Sequence, residues 1–154
     1  MEELGKIIVI GSGNWGTTLA MVFSQRNRVY LWTINEQEAQ EINKTREVKF
    51  LPGIKLNDNI TIENKFSRKI EKNDIVVTAI PSRFIDDLTD EFIAHKVEEF
   101  IVLNASKGVE HTTLKTVWET VMGKLPKVQF ANLAGPTIAR EIAEGIPAKA
   151  ILAA

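Results

Sequence analysis

The stretch Gly11-Ser12-Gly13-Asn14-Trp15-Gly16 decides the fold of this chain. It follows an apolar run, Ile7-Ile8-Val9-Ile10, and precedes the run Thr17-Thr18-Leu19-Ala20-Met21-Val22-Phe23, whose composition suits a helix. The pattern G-x-G-x-x-G is a weak signal alone, but it indicates dinucleotide binding where it joins a strand to a helix. The sequence therefore predicts a strand, a tight glycine turn that binds a dinucleotide, and a helix.

The three glycines of this turn have different physical reasons. Gly11 allows the sharp turn out of the strand, and Gly13 lacks the Cβ that would keep a pyrophosphate from the backbone. Gly16 lets the helix lie close to the strand. The free N–H groups of the first helical turn would then face the phosphates, with the helix dipole behind them.

Length and composition indicate one ordinary globular domain over residues 1–154. The hydrophobic fraction is 44%, the charged fraction is 25%, and the net charge is -1. This charge gives no electrostatic reason to expect nucleic acid or an anionic membrane as a partner. There is no cysteine, which excludes disulfides and thiolate metal sites. Neither a signal peptide nor an apolar run of the roughly 18 residues of a membrane span is evident, so we expect a cytoplasmic protein without a metal site.

The rest of the chain alternates strand and helix patterns. Strands are predicted over Arg28–Trp32, Asn59–Ile62, Asp74–Ile80, Phe100–Asn104, Val128–Leu133 and Ala148–Ala153. Helices are predicted over Asn14–Gln25, Glu36–Ile42, Lys65–Lys72 and Arg83–His95, from Thr112 or Thr113 through Val121, and from Gly135-Pro136-Thr137 to near Gly145. The helix over Arg83–His95 is predicted to carry Phe84, Leu88 and Phe92 on one face. This alternation predicts an α/β fold with a doubly wound, mostly parallel (Rossmann) sheet. Because the last strand meets the C-terminus without a covering helix, we expect a truncated sheet, either a piece of a longer protein or one covered by a partner.

Ligands of such sheets bind beyond the carboxyl ends of the strands. That rule selects the glycine turn, Thr33-Ile34-Asn35, Pro81-Ser82, Ala105-Ser106-Lys107-Gly108 and Ala134-Gly135-Pro136-Thr137. Lys107 can bind a phosphate or polarise a carbonyl oxygen there, or it is a solvated surface lysine. Gly135-Pro136-Thr137 can place an anion at a helix start, or it is an ordinary helix N-terminus.

The choice between NAD and NADP stays open at this point. An acid about 20 residues after the glycines would bind the ribose 2′-hydroxyl of NAD. The second strand ends in Thr33-Ile34-Asn35, with neither an acid nor an arginine, and we expect Glu36 in the first turn of the next helix.

Taken together, these segments resemble the NAD(P)-dependent glycerol-3-phosphate dehydrogenases of the bacterial type. The glycine motif is shared by many dehydrogenases, whereas the later pieces are far more specific. The matching pieces are residues 11–20, Leu31-Trp32, Phe50-Leu51-Pro52-Gly53, Ile80-Pro81-Ser82, Ser106-Lys107-Gly108-Val109-Glu110, and Gly135-Pro136-Thr137-Ile138-Ala139-Arg140-Glu141-Ile142.

The resemblance implies hydride transfer between NAD(P)H and dihydroxyacetone phosphate, which gives glycerol 3-phosphate for phospholipid synthesis. It implies a catalytic role for Lys107, which would contact both cofactor and substrate, and substrate contacts for Gly135 and Thr137. The residues that the resemblance and the glycine motif assign to the cofactor are Gly11, Ser12, Gly13, Asn14, Trp15, Gly16, Ile34, Phe50, Pro81, Lys107 and Ala139. Family members continue into a helical domain with a second lysine and an arginine-asparagine pair, so we expect this chain alone to be inactive.

Two alternatives remain at the level of sequence. The chain could be the cofactor domain of another dehydrogenase, for example one acting on a 3-hydroxy acid. It could also be a non-catalytic module that binds a nucleotide or oligomerises. The unfinished sheet leads us to expect self-association, for example as a homodimer, through its exposed C-terminal edge.

Overall fold

The computed structural model describes residues 5–65, 69–97 and 99–154. Its strands are β1 (Ile7–Ile10), β2 (Val29–Trp32), β3 (Ile60–Glu63), β4 (Ile75–Thr78), β5 (Ile101–Asn104), β6 (Gln129–Ala134) and β7 (Ile151–Ala153). Its helices are α1 (Asn14–Ser24), α2 (Glu36–Thr45), α3 (Ile85–Ala94), α4 (Val117–Lys124) and α5 (Ala139–Ala143), with a 3-10 turn over Ser82–Phe84.

The described strands form one sheet in the order β3-β2-β1-β4-β5-β6-β7. Neighbours are parallel from β3 to β6, and β7 runs antiparallel to β6. The strand order reverses between β1 and β4, which is the switch point of the doubly wound arrangement. The predicted fold class is confirmed. In this sheet β4 lies at the centre and β3 lies at the edge.

Two apolar cores cover the two faces of the sheet. Val9, Leu31 and Val77 point to one face, where they cluster with Leu19 and Ile42 of α1 and α2. The other face carries a second core, which contains Ile8, Ile10, Val76 and Val102 of the sheet and Leu88, Phe92, Val117 and Val121 of α3 and α4. Burial on both faces explains why the strands read as continuous apolar runs rather than as alternating patterns.

The prediction that α4 starts at Thr112 or Thr113 is wrong. The carboxylate of Glu110 accepts the backbone N–H groups of both Thr112 and Thr113, which holds this segment as a loop. The helix starts after Thr116, whose hydroxyl accepts the N–H of Glu119 while the Glu119 carboxylate accepts the N–H of Thr116. This reciprocal capping box supplies two acceptors to the helix start, an advantage that Thr112 and Thr113 lack.

Two other helix predictions need correction. The segment Gly135-Pro136-Thr137 does not open a helix, because α5 starts only at Ala139, and the N–H of Thr137 instead donates to the Gly135 carbonyl at 2.9 Å. Phe84 does not share the buried face of α3 with Leu88 and Phe92. It ends the 3-10 turn and is 45% exposed.

Two predicted elements are shorter than expected or lie partly outside the description. The strand predicted over Ala148–Ala153 forms only over Ile151–Ala153, and all three residues are exposed. The helix predicted over Lys65–Lys72 lies partly outside the described residues, and residues 69–72 have no helical structure. Among the described residues, the helices are too short or too polar to cross a bilayer.

Candidate functional site

The glycine turn lies at the switch point of the sheet. It follows β1, which is hydrogen-bonded to β2 on one side and to β4 on the other. Pro81 follows β4 at the same edge. A crevice between the carboxyl ends of these strands is where open α/β sheets bind their ligands.

Backbone contacts explain why this turn requires glycine. Gly11 has φ +114°, and its N–H donates to the Trp32 carbonyl at 3.0 Å. A Cβ on Gly16 would lie 1.9 Å from the carbonyl oxygen of Gly11, so helix and strand approach too closely for any side chain there. A Cβ on Gly13 would meet nothing within 4 Å. The turn is therefore closed at its ends and open in its middle, where a pyrophosphate needs access.

The start of α1 offers backbone donors without a protein acceptor for them. Within the described residues, no side chain caps this helix, and no acid stands in its first turn. The first N–H that bonds back along the chain is that of Thr17, which donates to the Gly13 carbonyl at 3.0 Å. The N–H groups of residues 14–16 lie before this bond. Together with the dipole of an 11-residue helix they suit a phosphate.

A cleft of about 1130 Å³ opens beside the turn. The predicted cofactor residues that line it are Gly11, Ser12, Ile34, Phe50 and Pro81. Ile34 is 85% exposed and Phe50 is 51% exposed, so both present apolar surface to the opening. Phe84, which the sequence reasoning placed on one helix face with Leu88 and Phe92, also lines this cleft. Such a lining suits a flat aromatic ring.

Sequence reasoning missed Glu38, which also lines the cleft. Its Oε2 accepts a hydrogen bond from the Ser12 hydroxyl at 2.9 Å and another from the Thr33 hydroxyl. Asn35 caps α2 by accepting the Glu38 N–H, which places this carboxylate one turn into the helix but directed back at the glycine turn. The missed signal was the spacing, because Glu38 stands 22 positions after Gly16.

The loop that carries Lys107 is fixed by a row of polar side chains across three strands. Thr78, Asn104 and Asn132 occupy the same register in β4, β5 and β6. The Thr78 hydroxyl donates to Asn104 Oδ1 at 2.8 Å, and Asn104 Nδ2 donates to Asn132 Oδ1 at 2.9 Å. Asn104 Oδ1 also accepts the N–H of Ser106 at 3.1 Å. The exposed Lys107 follows directly, so its backbone is anchored although its side chain is free to reach outward.

The remaining predicted residues lie outside the lining of the cleft. Lys107 follows β5, while Gly135 and Thr137 follow β6 at the same edge of the sheet. Ala139 starts α5, and its carbonyl accepts a hydrogen bond from the Thr18 hydroxyl of α1 at 3.1 Å. The structure thus brings the cofactor residues of the turn, β2 and β4 together, and it places the substrate residues beyond β5 and β6.

Comparisons with known proteins agree with this arrangement. The sequence profile of the family described as "NAD-dependent glycerol-3-phosphate dehydrogenase N-terminus" matches residues 6–154. The chain belongs to this family. The glycerol-3-phosphate dehydrogenase resemblance inferred from the sequence is confirmed, and the match decides against a 3-hydroxy-acid dehydrogenase.

Members of the glycerol-3-phosphate dehydrogenase family align with nearly the whole chain. The NAD(P)+ enzyme of Geobacter sp. (strain M21) is 37% identical over 97% of this chain and 46% of its own length. The glycosomal NAD(+) enzyme of Leishmania mexicana is 37% identical over 93% of this chain and 41% of its own. The chain therefore spans less than half the length of these relatives. The crystal structure of the Coxiella burnetii enzyme shares the fold, with a TM-score of 0.87 over 96% of this chain and 46% of that one, at 21% identity.

Proposed function

We propose that residues 1–154 form the cofactor-binding domain of a glycerol-3-phosphate dehydrogenase. The proposed reaction interconverts dihydroxyacetone phosphate and glycerol 3-phosphate, with NAD(P) as the carrier of the hydride. The observation that supports it best is the glycine turn, which is open at Gly13 and has unpaired helix donors at the switch point of the sheet. The names of the relatives in this family supply the substrate.

The cofactor would span the cleft and the glycine turn. The N–H groups at Asn14 and Trp15 would hold the pyrophosphate, because the helix start lacks any other acceptor among the described residues. The exposed side chains of Ile34 and Phe50 would contact the adenosine half. Pro81, beyond the neighbouring strand β4, would border the nicotinamide half, and Ala139 would approach it from α5.

Lys107 is the proposed catalytic residue. Reduction of the ketone builds negative charge on its oxygen, and an ammonium group there stabilises the transition state more than the ground state. The polar row of Thr78, Asn104 and Asn132 holds the backbone before Lys107 in place. Gly135 and Thr137, at the end of the adjacent parallel strand β6, would contact the substrate.

Cofactor binding is tested by titrating NADH and NADPH into the protein and following nicotinamide fluorescence. The variant Gly13→Val fills the open middle of the turn, where a Cβ meets no protein atom within 4 Å. We expect saturable binding in the parent and its loss in this variant. Gly123→Val, at a second open and exposed position in α4, serves as the control and should bind like the parent. Equal binding by Gly13→Val would contradict the proposed site.

Turnover separates an enzyme from a non-catalytic nucleotide-binding module. In the complete gene product, Lys107→Ala should abolish glycerol 3-phosphate oxidation and keep most of the NADH binding, since the proposed pyrophosphate and adenosine contacts lie at the glycine turn and in the cleft, which Lys107 does not line. Lys115→Ala, which removes another exposed lysine, should leave turnover unchanged. Unchanged turnover in Lys107→Ala would remove the catalytic assignment. The proposed cytoplasmic location and homodimer stay predictions, and sedimentation over a range of concentrations tests the latter.

A further inference from the structure

A carboxylate is held in place beside the glycine turn. Glu38 Oε2 accepts hydrogen bonds from the hydroxyls of Ser12 and Thr33. Ser12 is 8% exposed and Thr33 is 2% exposed, so both donors are fixed by the fold. Glu38 is only partly exposed and faces the cleft. Its carboxylate therefore has one position rather than the freedom of a surface glutamate.

This position is that of a ribose-binding acid. In dinucleotide-binding folds such an acid comes about 20 residues after the glycines and binds the 2′-hydroxyl of the adenine ribose. Glu38 comes 22 positions after Gly16, and it touches Ser12 inside the turn itself. It differs from the usual case only in its element, because it stands in the first turn of α2 instead of at the end of β2.

The other charges around the cleft have mostly the same sign. A 2′-phosphate requires cations, usually an arginine, at this place. Lys49 is the only cation among the described residues that line the cleft. The carboxylates that line it are Glu38, Glu41, Glu47, Asp87 and Glu91.

We infer that Glu38 selects NAD over NADP by accepting the ribose 2′-hydroxyl and repelling a 2′-phosphate. The inference rests on the proposed cofactor site and goes beyond it, since the site could bind both dinucleotides. The Glu38 carboxylate and the 2′-phosphate of NADPH would be two negative charges at hydrogen-bonding distance in a partly buried cleft. Their repulsion is large enough to give about a tenfold or greater preference for NADH over NADPH.

The test compares the dissociation constants of NADH and NADPH in the parent and in Glu38→Gln, read by nicotinamide fluorescence. The amide is nearly the same size, so the variant removes the charge and keeps the shape. We expect the preference for NADH to fall to roughly threefold or less, through weaker NADH and tighter NADPH binding. Glu36→Gln is the matched control, because Glu36 stands in the same first turn of α2 but does not line the cleft, so this variant should keep the full preference.

The outcomes distinguish this inference from the proposed function. Equal or tighter binding of NADPH by the parent, or an unchanged preference in Glu38→Gln, overturns the inference alone. Failure of the folded parent to bind either dinucleotide overturns the proposed function, and the inference with it. If Glu38→Gln does not fold, a competition titration with the parent protein tests the inference. In that titration ADP-ribose should displace NADH about tenfold better than 2′-phosphorylated ADP-ribose does. Equal displacement by the two compounds overturns the inference.

Discussion

Gly16→Ala is the substitution whose effect the structure predicts most directly. The added Cβ would lie 1.9 Å from the Gly11 carbonyl oxygen, whereas ordinary contact begins at 3.4 Å, so the two groups must separate by about 1.5 Å. The obstacle is backbone and cannot swing away. Gly11 is tied to Trp32 by its N–H, and a Cβ on Gly11 would itself lie 2.5 Å from the carbonyl oxygen of Ala79, just after β4. The variant must therefore push α1 away from β1.

Overpacking of this kind costs about 3 kcal/mol or more of the free energy of unfolding. In a protein of this size that lowers Tm by roughly 6–12 °C. The assay is urea and thermal unfolding followed by circular dichroism. Gly13→Ala is the matched control in the same turn, where a Cβ meets nothing within 4 Å. Alanine is a slightly poorer N-cap residue than glycine, but it also makes the unfolded chain less flexible. Because these two effects offset each other, we expect the free energy of unfolding of Gly13→Ala to stay within about 0.5 kcal/mol of the parent.

The reasoning is refuted if Gly16→Ala unfolds within about 1 kcal/mol of the parent. It is also refuted if Gly13→Ala loses as much stability as Gly16→Ala. Either result would mean that the close approach of α1 to β1 does not set the requirement for glycine.

Two further predictions concern carboxylates that hold backbone N–H groups. Asp74 is 1% exposed, and its carboxylate accepts the N–H groups of Lys6 at 2.7 Å and Glu71 at 2.8 Å. Asp74→Ala should therefore lower the free energy of unfolding, measured in urea, by about 3 kcal/mol. A decrease of less than about 1 kcal/mol would contradict this prediction. The N–H groups of Thr112 and Thr113 lower the pKa of Glu110 from 4.5 to about 2. Because the folded pKa is depressed, this contribution to stability is present above pH 4.5 and is lost as the pH falls towards 2. After correction for the intrinsic exchange rate, amide hydrogen exchange at Thr112 and Thr113 should become faster in the parent as the pH falls through this range. In Glu110→Gln the corrected rate should not depend on pH. An NMR titration of the Glu110 carboxyl with a midpoint near 4.5 would refute the lowered pKa.

The fold could be predicted because its signals are local and strong. The glycine turn requires a strand before it and a helix after it, and the structure has β1 and α1 there. The continuous apolar run Ile75-Val76-Val77 has no polar face, which favours an inner parallel strand buried on both sides. The helix predicted to start at Glu36 does start there, and the Asn35 side chain caps it by accepting the N–H of Glu38.

The errors arose where a side chain or a turn overrides local preference. Thr112 and Thr113 have good N-cap side chains, but the Glu110 carboxylate takes their N–H groups. Phe84 has helical spacing to Leu88, but the 3-10 turn before α3 breaks the periodicity.

The site was only partly predictable for the same reason. Glu38 was missed because its role depends on a side chain that turns back from the helix to Ser12, which linear position does not show. The polar row of Thr78, Asn104 and Asn132 requires knowledge of strand register, although each residue stands in the last half of an apolar strand. Such isolated polar residues at matching strand ends are the signal that could have found it.

The apolar opening of the cleft affects how unfolding of this protein should be followed. Ile34, Phe50 and Phe84 are exposed together in the folded state, as a large apolar concavity. Dyes that fluoresce on apolar surfaces, commonly read as signs of a molten globule or of melting, would bind this native surface. A dye-based thermal scan would then start from a high signal, which a bound dinucleotide would lower by displacing the dye. Circular dichroism avoids this artefact, while the dye itself becomes a simple displacement reporter for ligands of the cleft.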